Sequence, residues 1–453
     1  MKILVIGGVA AGTKAAAKWK RENRADQVVL LTKSADISYA GCGLPYYVGG
    51  SIENREELIV NTPQKYRGLT GVEVLTLREA THVDPAAKVV TAQNLENGQE
   101  ETYSYDKLIL ATGASAVKLP IPGVDLNGVF PMRAPEDAIT MRDYLEANGV
   151  KKAVVIGGGF IGLELAENLF DRGISVTVVE VASQILSGVL DGEMAGYVQR
   201  HLQQKGIRVL TGTKATALVG DGKVEGVQTD AGLLPCGAVV VSAGIRPNTA
   251  FLEDTGIQME KGAIVVDECL ATSVADIYAA GDCALVKNRL TGKAQYSPMG
   301  SSANLEGRTL AQNLNGENKT YPGVLGTGVV KLPGLNVGRT GLTESAAKEA
   351  GYEDLTPYFE GTTAVAISDS DPVSAAKILN DYAEDANANF SLKAGMVEGK
   401  IYDQAGIQAI AKLPSKEQLL AQLCSVLNGN IRGLAVALNA IAEKSGEAAP
   451  EIA

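Results

Sequence analysis

The 453-residue chain has only two histidines, one tryptophan and five cysteines, and each scarcity closes off a class of function. Cys42, Cys236, Cys269, Cys283 and Cys424 are odd in number, widely spaced and form no C-x-x-C pair. That disfavours a disulfide framework or a zinc site, and a reducing compartment, the cytoplasm, fits best. No run of about 18 apolar residues is present, so no membrane span is expected, and the opening strand that runs into Gly7 and Gly8 is unlike a secretory leader. Positive charge is short as well. With 41 Lys and Arg against 52 Asp and Glu, the net charge of -11 argues against nucleic acid or an anionic membrane as a partner of the whole chain. The local exception is Lys14, Lys18, Lys20, Arg21 and Arg24, read either as the solvated face of a helix or as a meeting place for a nucleotide's phosphates.

Glycine, by contrast, is abundant, and it falls in strand–turn–helix contexts. Lys2 to Ile6 reads as a short strand, residues 7–12 as a glycine turn, and Thr13 to Lys20 as a helix. In such a turn Gly7 allows the sharp bend, Gly12 lets the helix approach the strand, and the free N–H groups of the helix start suit a pyrophosphate. This copy departs from the usual pattern twice. Val9 stands at the second glycine position, and the next strand ends in Thr32-Lys33 where an acid usually meets the ribose hydroxyls.

A second copy is complete. Ala153 to Ile156 is a strand, Gly157, Gly159 and Gly162 supply all three glycines, and the following strand, Val176 to Val179, ends at Glu180. An acid there accepts both ribose hydroxyls and repels the additional phosphate of NADP, so NADH is the expected dinucleotide, with NADPH left open. Two such units in one chain imply electron transfer between two dinucleotides.

Three further segments, residues 105–113, 243–248 and 277–282, together with these turns, make about residues 1–350 resemble the flavin-dependent pyridine nucleotide–disulfide oxidoreductases. The resemblance implies an α/β fold with two Rossmann-like domains. The FAD-binding domain spans 1–113 and 244–322, and an NADH-binding domain is inserted at 114–243. It also implies that Gly7, Gly8, Ala11, Gly12, Thr112, Gly113 and Gly281 line FAD, that Asp282 meets the flavin's ribityl chain, that Gly157, Gly159, Ile161, Gly162 and Glu180 hold the NADH, and that Gly244 contacts one of the two cofactors. Residues 37–47, ISYAGCGLPYY, narrow the match to the branch with a single redox cysteine, Cys42, which includes coenzyme A-disulfide reductases, NADH oxidases and NADH peroxidases. No second thiol follows in Leu44-Pro45-Tyr46.

A thiolate beside an oxidised flavin is a nucleophile toward a disulfide or peroxide and can hold reducing equivalents as a mixed disulfide or sulfenic acid. Peroxide-reducing relatives carry a histidine in the first glycine turn, where this chain has Ala10 and Ala11. Its two histidines, His82 and His201, lie outside every motif and read as surface or packing residues. Coenzyme A disulfide, or a related small disulfide or persulfide, is therefore the expected substrate. Ser38 is the expected hydrogen-bond partner of the Cys42 thiolate, and the Lys14 to Arg24 cluster a place for coenzyme A phosphates. An NADH oxidase or peroxidase is the alternative within the branch.

In this family the final hundred or so residues build a homodimer interface. Here that domain begins near Gly323 and runs to about residue 350, then gives way. From about Leu355 to the end, residues 359–366, 371–377 and 412–415 resemble the later part of large-subunit ribosomal protein ten, the stalk-base protein. The seam falls near residues 346–352, and neither parent is complete. The tail is expected to be a small α+β module ending in amphipathic helices. Leu419, Leu420, Leu423, Val426 and Leu427 form one stripe, and Ile431, Leu434, Ala435, Leu438 and Ile441 a second beyond Gly429. The resemblance implies acidic ribosomal stalk proteins as partners, with packing on the tail's own core as the alternative. A rival reading of the whole chain is accordingly a stalk-binding protein whose enzyme half is incidental.

Overall fold

The computed structural model describes residues 1–351, 353–358, 373–384, 390–397, 400–414 and 416–445. It divides into two compact units, Met1–Ala346 and Ala347–Ala453.

In the first unit, the apolar strand Lys2–Ile6 pairs in parallel with Gln27–Leu31 on one side and Lys107–Leu110 on the other. Glu73–Leu75 and Ile277–Ala279 complete a five-stranded parallel sheet at its two edges. Ile3, Leu4, Val5 and Ile6 are all buried, Ile3 and Val5 against helix residues such as Ala15, Trp19 and Leu310, and Leu4 and Ile6 against Val83, Val90 and Ala92. A second parallel sheet repeats the arrangement, with Lys152–Ile156 between Ser175–Val179 and Ala238–Val241, and Arg208–Leu210 and Val129–Phe130 at the edges. The chain leaves the first sheet after Lys107–Leu110, builds the second, and returns as Ile277–Ala279. The two crossings, Ala114–Ala116 and Ile245–Pro247, pair antiparallel. Each half also carries a three-stranded antiparallel sheet, Arg78–Asp84 with Val89–Asn94 and Glu100–Ser104, and Ala215–Val219 with Gly226–Thr229 and Gly232–Pro235.

Beyond the helix Gly300–Leu314, the hairpin Gly328–Leu332/Leu335–Arg339 lays Val330, Leu332 and Val337 into the core of the second half and leaves Val329 exposed.

The second unit has a small core of Ala376, Leu392, Ile407 and Ala411. Around it lie the helix Ser374–Ala383, the hairpin Ala394–Val397/Lys400–Asp403 and the helix Gln404–Ala411, whose N-terminus is capped by Asp403 accepting from the Gly406 N–H at 2.8 Å. The last element corrects the expectation of two stripes divided at Gly429. Lys416–Ser445 is one 30-residue helix, and Leu420, Leu423, Val426, Leu427, Ile431, Leu434, Leu438 and Ile441 are all exposed. A glycine costs a helix only about 1 kcal/mol relative to alanine, too little to break a run this rich in Ala and Leu. Residues 359–366 and 371–372 and Ser415, which carry part of the tail's resemblance, lie outside the described residues.

Candidate functional site

The two glycine turns have nearly the same atomic construction. Gly7 has φ +118, and a β-carbon on it would sit 1.9 Å from the Ala111 carbonyl oxygen; Gly157 has φ +114, and its β-carbon would sit 2.2 Å from that of Ser242. Gly12 and Gly162 bring each helix so near its strand that an added β-carbon would lie 2.0 Å from the carbonyl of Gly7 or Gly157. The helices begin at Ala10 and Phe160, with Ile161 one residue further in. Gly159 differs, because nothing lies within 4 Å of its would-be side chain, which leaves an open face for a close-approaching ligand.

Around the first turn the structure brings together most of the residues expected at the flavin. The helix Gly300–Leu314 packs on the helix Ala10–Glu22 so closely that a β-carbon on Gly307 would meet the Ala11 carbonyl at 2.3 Å. Gly281 lies against the Ala11 methyl. The Asp282 carboxylate is engaged by the Arg133 guanidinium, which also donates to the Ala114 carbonyl at 2.9 Å, and the Asp282 carbonyl accepts from the Tyr296 hydroxyl at 2.9 Å. Asn248 ties the two crossings together, accepting from Ser115 at 2.7 Å and donating to the Thr112 and Gly113 carbonyls at 3.0 Å. Gly244, with φ +108, is the turn before the second crossing. Thr112 Oγ1 is buried beside the Cys283 thiol, with no other hydrogen-bond partner.

Sequence patterns did not reveal Arg133 or Glu306. Glu306 is only 1% exposed, accepts from the Gly281 N–H at 2.6 Å, and has its carboxyl pushed up to about 7 by burial. Its only sequence signal is an acid on the helix face shared with Ala303 and Leu310. A carboxyl with a raised folded pKa binds its proton more tightly folded than unfolded, so stability falls as pH rises from 4.5 to about 7. Glu164, also pushed up to about 7 by burial and by Glu167, contributes in the same sense. Glu306→Gln is expected to flatten, without abolishing, the decline of melting temperature between about pH 5 and 7, as measured by thermal melts across that range.

At the second turn, Glu180 accepts from Gly158 N–H at 2.7 Å with one carboxylate oxygen and from Ala182 N–H at 2.8 Å with the other. The carboxylate is thus fixed over the turn.

Cys42 lies exposed in the short turn Gly41–Gly43, just ahead of the helix Leu44–Gly49. That helix packs against the helix Phe160–Asp171 of the second half, where a β-carbon on Gly49 would collide with Asn168, and Arg172 donates to the Val48 carbonyl at 2.6 Å. The contact holds the thiol's helix against the second nucleotide fold. Partial burial raises the Tyr46 phenol, with help from the charges of Glu164, Glu167 and Cys42. The other cysteines of this unit are less available. Cys236 and Cys283 are buried, burial pushes Cys236 up to about 11 and raises Cys283, and Cys269 is half-buried.

Ser38 has φ +49 and anchors the loop to the first turn through its N–H to the Gly8 carbonyl, 2.8 Å. Its hydroxyl accepts from the Asn61 amide at 3.4 Å, and no Ser38–Cys42 hydrogen bond occurs among the described residues. In the basic cluster, Lys18 pairs with Glu22, and Lys20 donates to the Arg24 and Asp26 carbonyls near the helix end. His82 is exposed, and His201 contacts the Pro333 carbonyl at 2.6 Å.

Residues 1–301 match the family described as pyridine nucleotide-disulphide oxidoreductase. The chain belongs to that family. A curated NADH oxidase of Methanocaldococcus jannaschii is 38% identical to this oxidoreductase over 348 residues, 77% of each chain. A CoA-dependent NAD(P)H sulfur oxidoreductase of Pyrococcus furiosus is 36% identical over 363 residues, 80% of this chain and 81% of the relative. The solved NAD-dependent persulfide reductase of A. fulgidus superposes with a TM-score of 0.75 at 37% identity, covering 78% of this chain and 66% of that one. FAD and a nicotinamide dinucleotide are the oxidoreductase's cofactors, and its two glycine cradles suit them. Its C-terminal part matches ribosomal protein L10 at 333–384 and the C-terminal region of ribosomal protein uL10 at 413–449. The first of these begins inside the hairpin, ahead of the seam expected at 346–352. No helix among the described residues is long and apolar enough to cross a membrane.

Proposed function

We propose that the oxidoreductase uses NADH to reduce coenzyme A disulfide, or a related small disulfide or persulfide, at Cys42. The observation that carries this reading is the exposure of Cys42 at the foot of a helix packed against the second nucleotide fold, while Cys236 and Cys283 are buried and held protonated. The relative from Pyrococcus furiosus, a CoA-dependent NAD(P)H sulfur oxidoreductase, supports it.

In this reading the Cys42 thiolate attacks one sulfur of RS–SR, the S–S bond breaks, and RS⁻ leaves with its electron pair while Cys42–S–S–R forms. FAD, held at the first glycine turn, would supply the two-electron link between NADH and sulfur. Two-electron reduction of the mixed disulfide would release the Cys42 thiolate and a second RS⁻. Ser38 positions the loop rather than the sulfur itself. Gly7, Gly8, Ala11, Gly12, Thr112, Gly113, Gly281 and Asp282 form the FAD site, within a domain of residues 1–113 and 244–322, whereas Gly244 follows Ser242 at the Gly157 turn. Gly157, Gly159, Ile161, Gly162 and Glu180 form the NADH site within 114–243, and Glu180 disfavours NADPH because its carboxylate would face the additional phosphate.

The absence of a histidine at Ala10 and Ala11 favours disulfide over peroxide. The test is the NADH oxidation rate, with coenzyme A disulfide under anaerobic conditions against dissolved oxygen alone. The disulfide-dependent rate is expected to be the larger by at least about tenfold, a transition-state difference of roughly 1.4 kcal/mol. Equal rates would make the oxidase reading the better one.

A second reading rests on the exposed apolar face of the helix Lys416–Ser445. An amphipathic helix of this length offers repeated anchors for a partner groove or helix, and acidic ribosomal stalk proteins are the partners proposed for it. Their co-purification with the full chain, lost on Leu434→Asp, supports a stalk role beside the enzymatic one.

A further inference from the structure

The internal repeat exposes one mismatch between the two nucleotide folds. Gly7 N–H donates to the Leu31 carbonyl at 2.8 Å, as Gly157 N–H does to Val179 at 2.8 Å. Thr32 N–H donates to Leu75 at 3.0 Å, as Glu180 N–H does to Leu210 at 2.8 Å. Ser38 N–H meets the Gly8 carbonyl at 2.8 Å, as Leu186 N–H meets that of Gly158 at 2.9 Å. Thr32 therefore occupies the place of Glu180, the residue that in such folds accepts the ribose hydroxyls. It is 7% exposed, and its β-carbon and methyl face Gly8. The first fold has no carboxylate at the end of its second strand.

A carboxylate reaches the same strand end from elsewhere. The Thr32 carbonyl accepts from the Arg78 N–H at 2.9 Å, which fixes the start of the strand Arg78–Asp84 beside it. The next residue, Glu79, places Oε1 2.7 Å from the Nζ of Lys33, the residue that follows Thr32. The other nearby acid, Asp36, is bound by Arg55 at 3.0 Å and is mostly buried. Glu79 keeps 39% of its side chain exposed.

We propose that Glu79 accepts the vicinal hydroxyls of the FAD adenosine ribose, supplying from the strand Arg78–Asp84 the charge that the end of Gln27–Leu31 lacks, with Lys33 holding the carboxylate in place. Two hydroxyl donors and one ionised acceptor make charge-assisted hydrogen bonds. The substitution of Thr32 for an acid is then compensated within the same cofactor site. The inference rests on FAD as cofactor and not on which acceptor Cys42 reduces, so the two fail separately.

The test is flavin affinity, read from fluorescence quenching when full-length, flavin-depleted protein is titrated with FAD or with FMN, which has no adenosine. Glu79→Gln is expected to weaken FAD about tenfold, the scale of one hydrogen bond to a charged acceptor, and to leave FMN unchanged. Introducing Thr32→Glu into the Glu79→Gln protein is expected to restore FAD affinity, which also shows that the doubly substituted chain folds. FAD affinity within twofold of the unsubstituted protein in Glu79→Gln, or an equal loss for FMN, overturns the proposal and leaves Lys33–Glu79 as a plain surface ion pair.

Discussion

Cys42→Ser is expected to lower NADH-dependent disulfide turnover by roughly 10³-fold or more, because the hydroxyl that replaces the thiol is neither ionised near neutral pH nor able to form a reducible bond to sulfur. Bleaching of the flavin by NADH should survive, since that step uses the two nucleotide folds and not the sulfur. The contrast separates the roles, with single-turnover bleaching followed at the flavin absorbance and steady-state turnover followed as thiol released. Cys236, Cys269 and Cys283 offer no substitute, as two are buried and one half-buried, and Cys424 lies in the other unit. Disulfide turnover by Cys42→Ser within threefold of the unsubstituted protein would remove Cys42 from the account.

The second large effect comes from two glycines of the same turn that should fail in opposite ways. Gly157→Ala forces a β-carbon to 2.2 Å from the Ser242 carbonyl at a φ of +114. The cost is about 3 kcal/mol or more, from the unfavourable φ together with the backbone collision, a large share of the 5–15 kcal/mol that holds a typical domain folded. Gly159→Ala meets no atom within 4 Å, and its φ of -82 suits any residue. Its melting temperature should stay unchanged while KM for NADH rises about tenfold or more, because the methyl group projects where the pyrophosphate must approach the helix start. Thermal melts and NADH kinetics on the two variants provide the comparison. A destabilised Gly159→Ala, or one with unaltered NADH kinetics, would argue against an open dinucleotide face at this turn.

Features carried by local pattern were the legible ones. Gly7, Gly12, Gly157 and Gly162 announce themselves because a sharp turn and a close helix constrain residues a few positions apart. Cys42 does so because its neighbours keep it exposed. Arg133 was not legible, since it meets Asp282 from 149 residues away, a distance no periodicity spans. Glu306 hid inside a helical stripe, where an acid reads as a surface residue until the fold buries it under Gly281. Ser38 shows the limit of proximity in sequence. Four positions from Cys42, it nevertheless turns its hydroxyl to Asn61, because its backbone is bound to the first glycine turn. Gly429 misled in the opposite direction, since an exposed glycine lowers helix propensity without supplying the tertiary contact that would end the helix. In the basic run, Lys18 pairs with Glu22 and Lys20 binds carbonyls of the turn beyond the helix, a use of charge that composition alone does not distinguish from a phosphate site.

In the proposed reaction Cys42 passes electrons arriving from NADH to a small disulfide. Its most direct test is mass spectrometry of the intact protein and of its Cys42 peptide after incubation with coenzyme A disulfide, before and after anaerobic addition of NADH. One coenzyme A adduct is expected on the Cys42 peptide, released as free thiol by one equivalent of NADH. An adduct confined to the exposed Cys424, or one on Cys42 that persists in excess NADH, would contradict it.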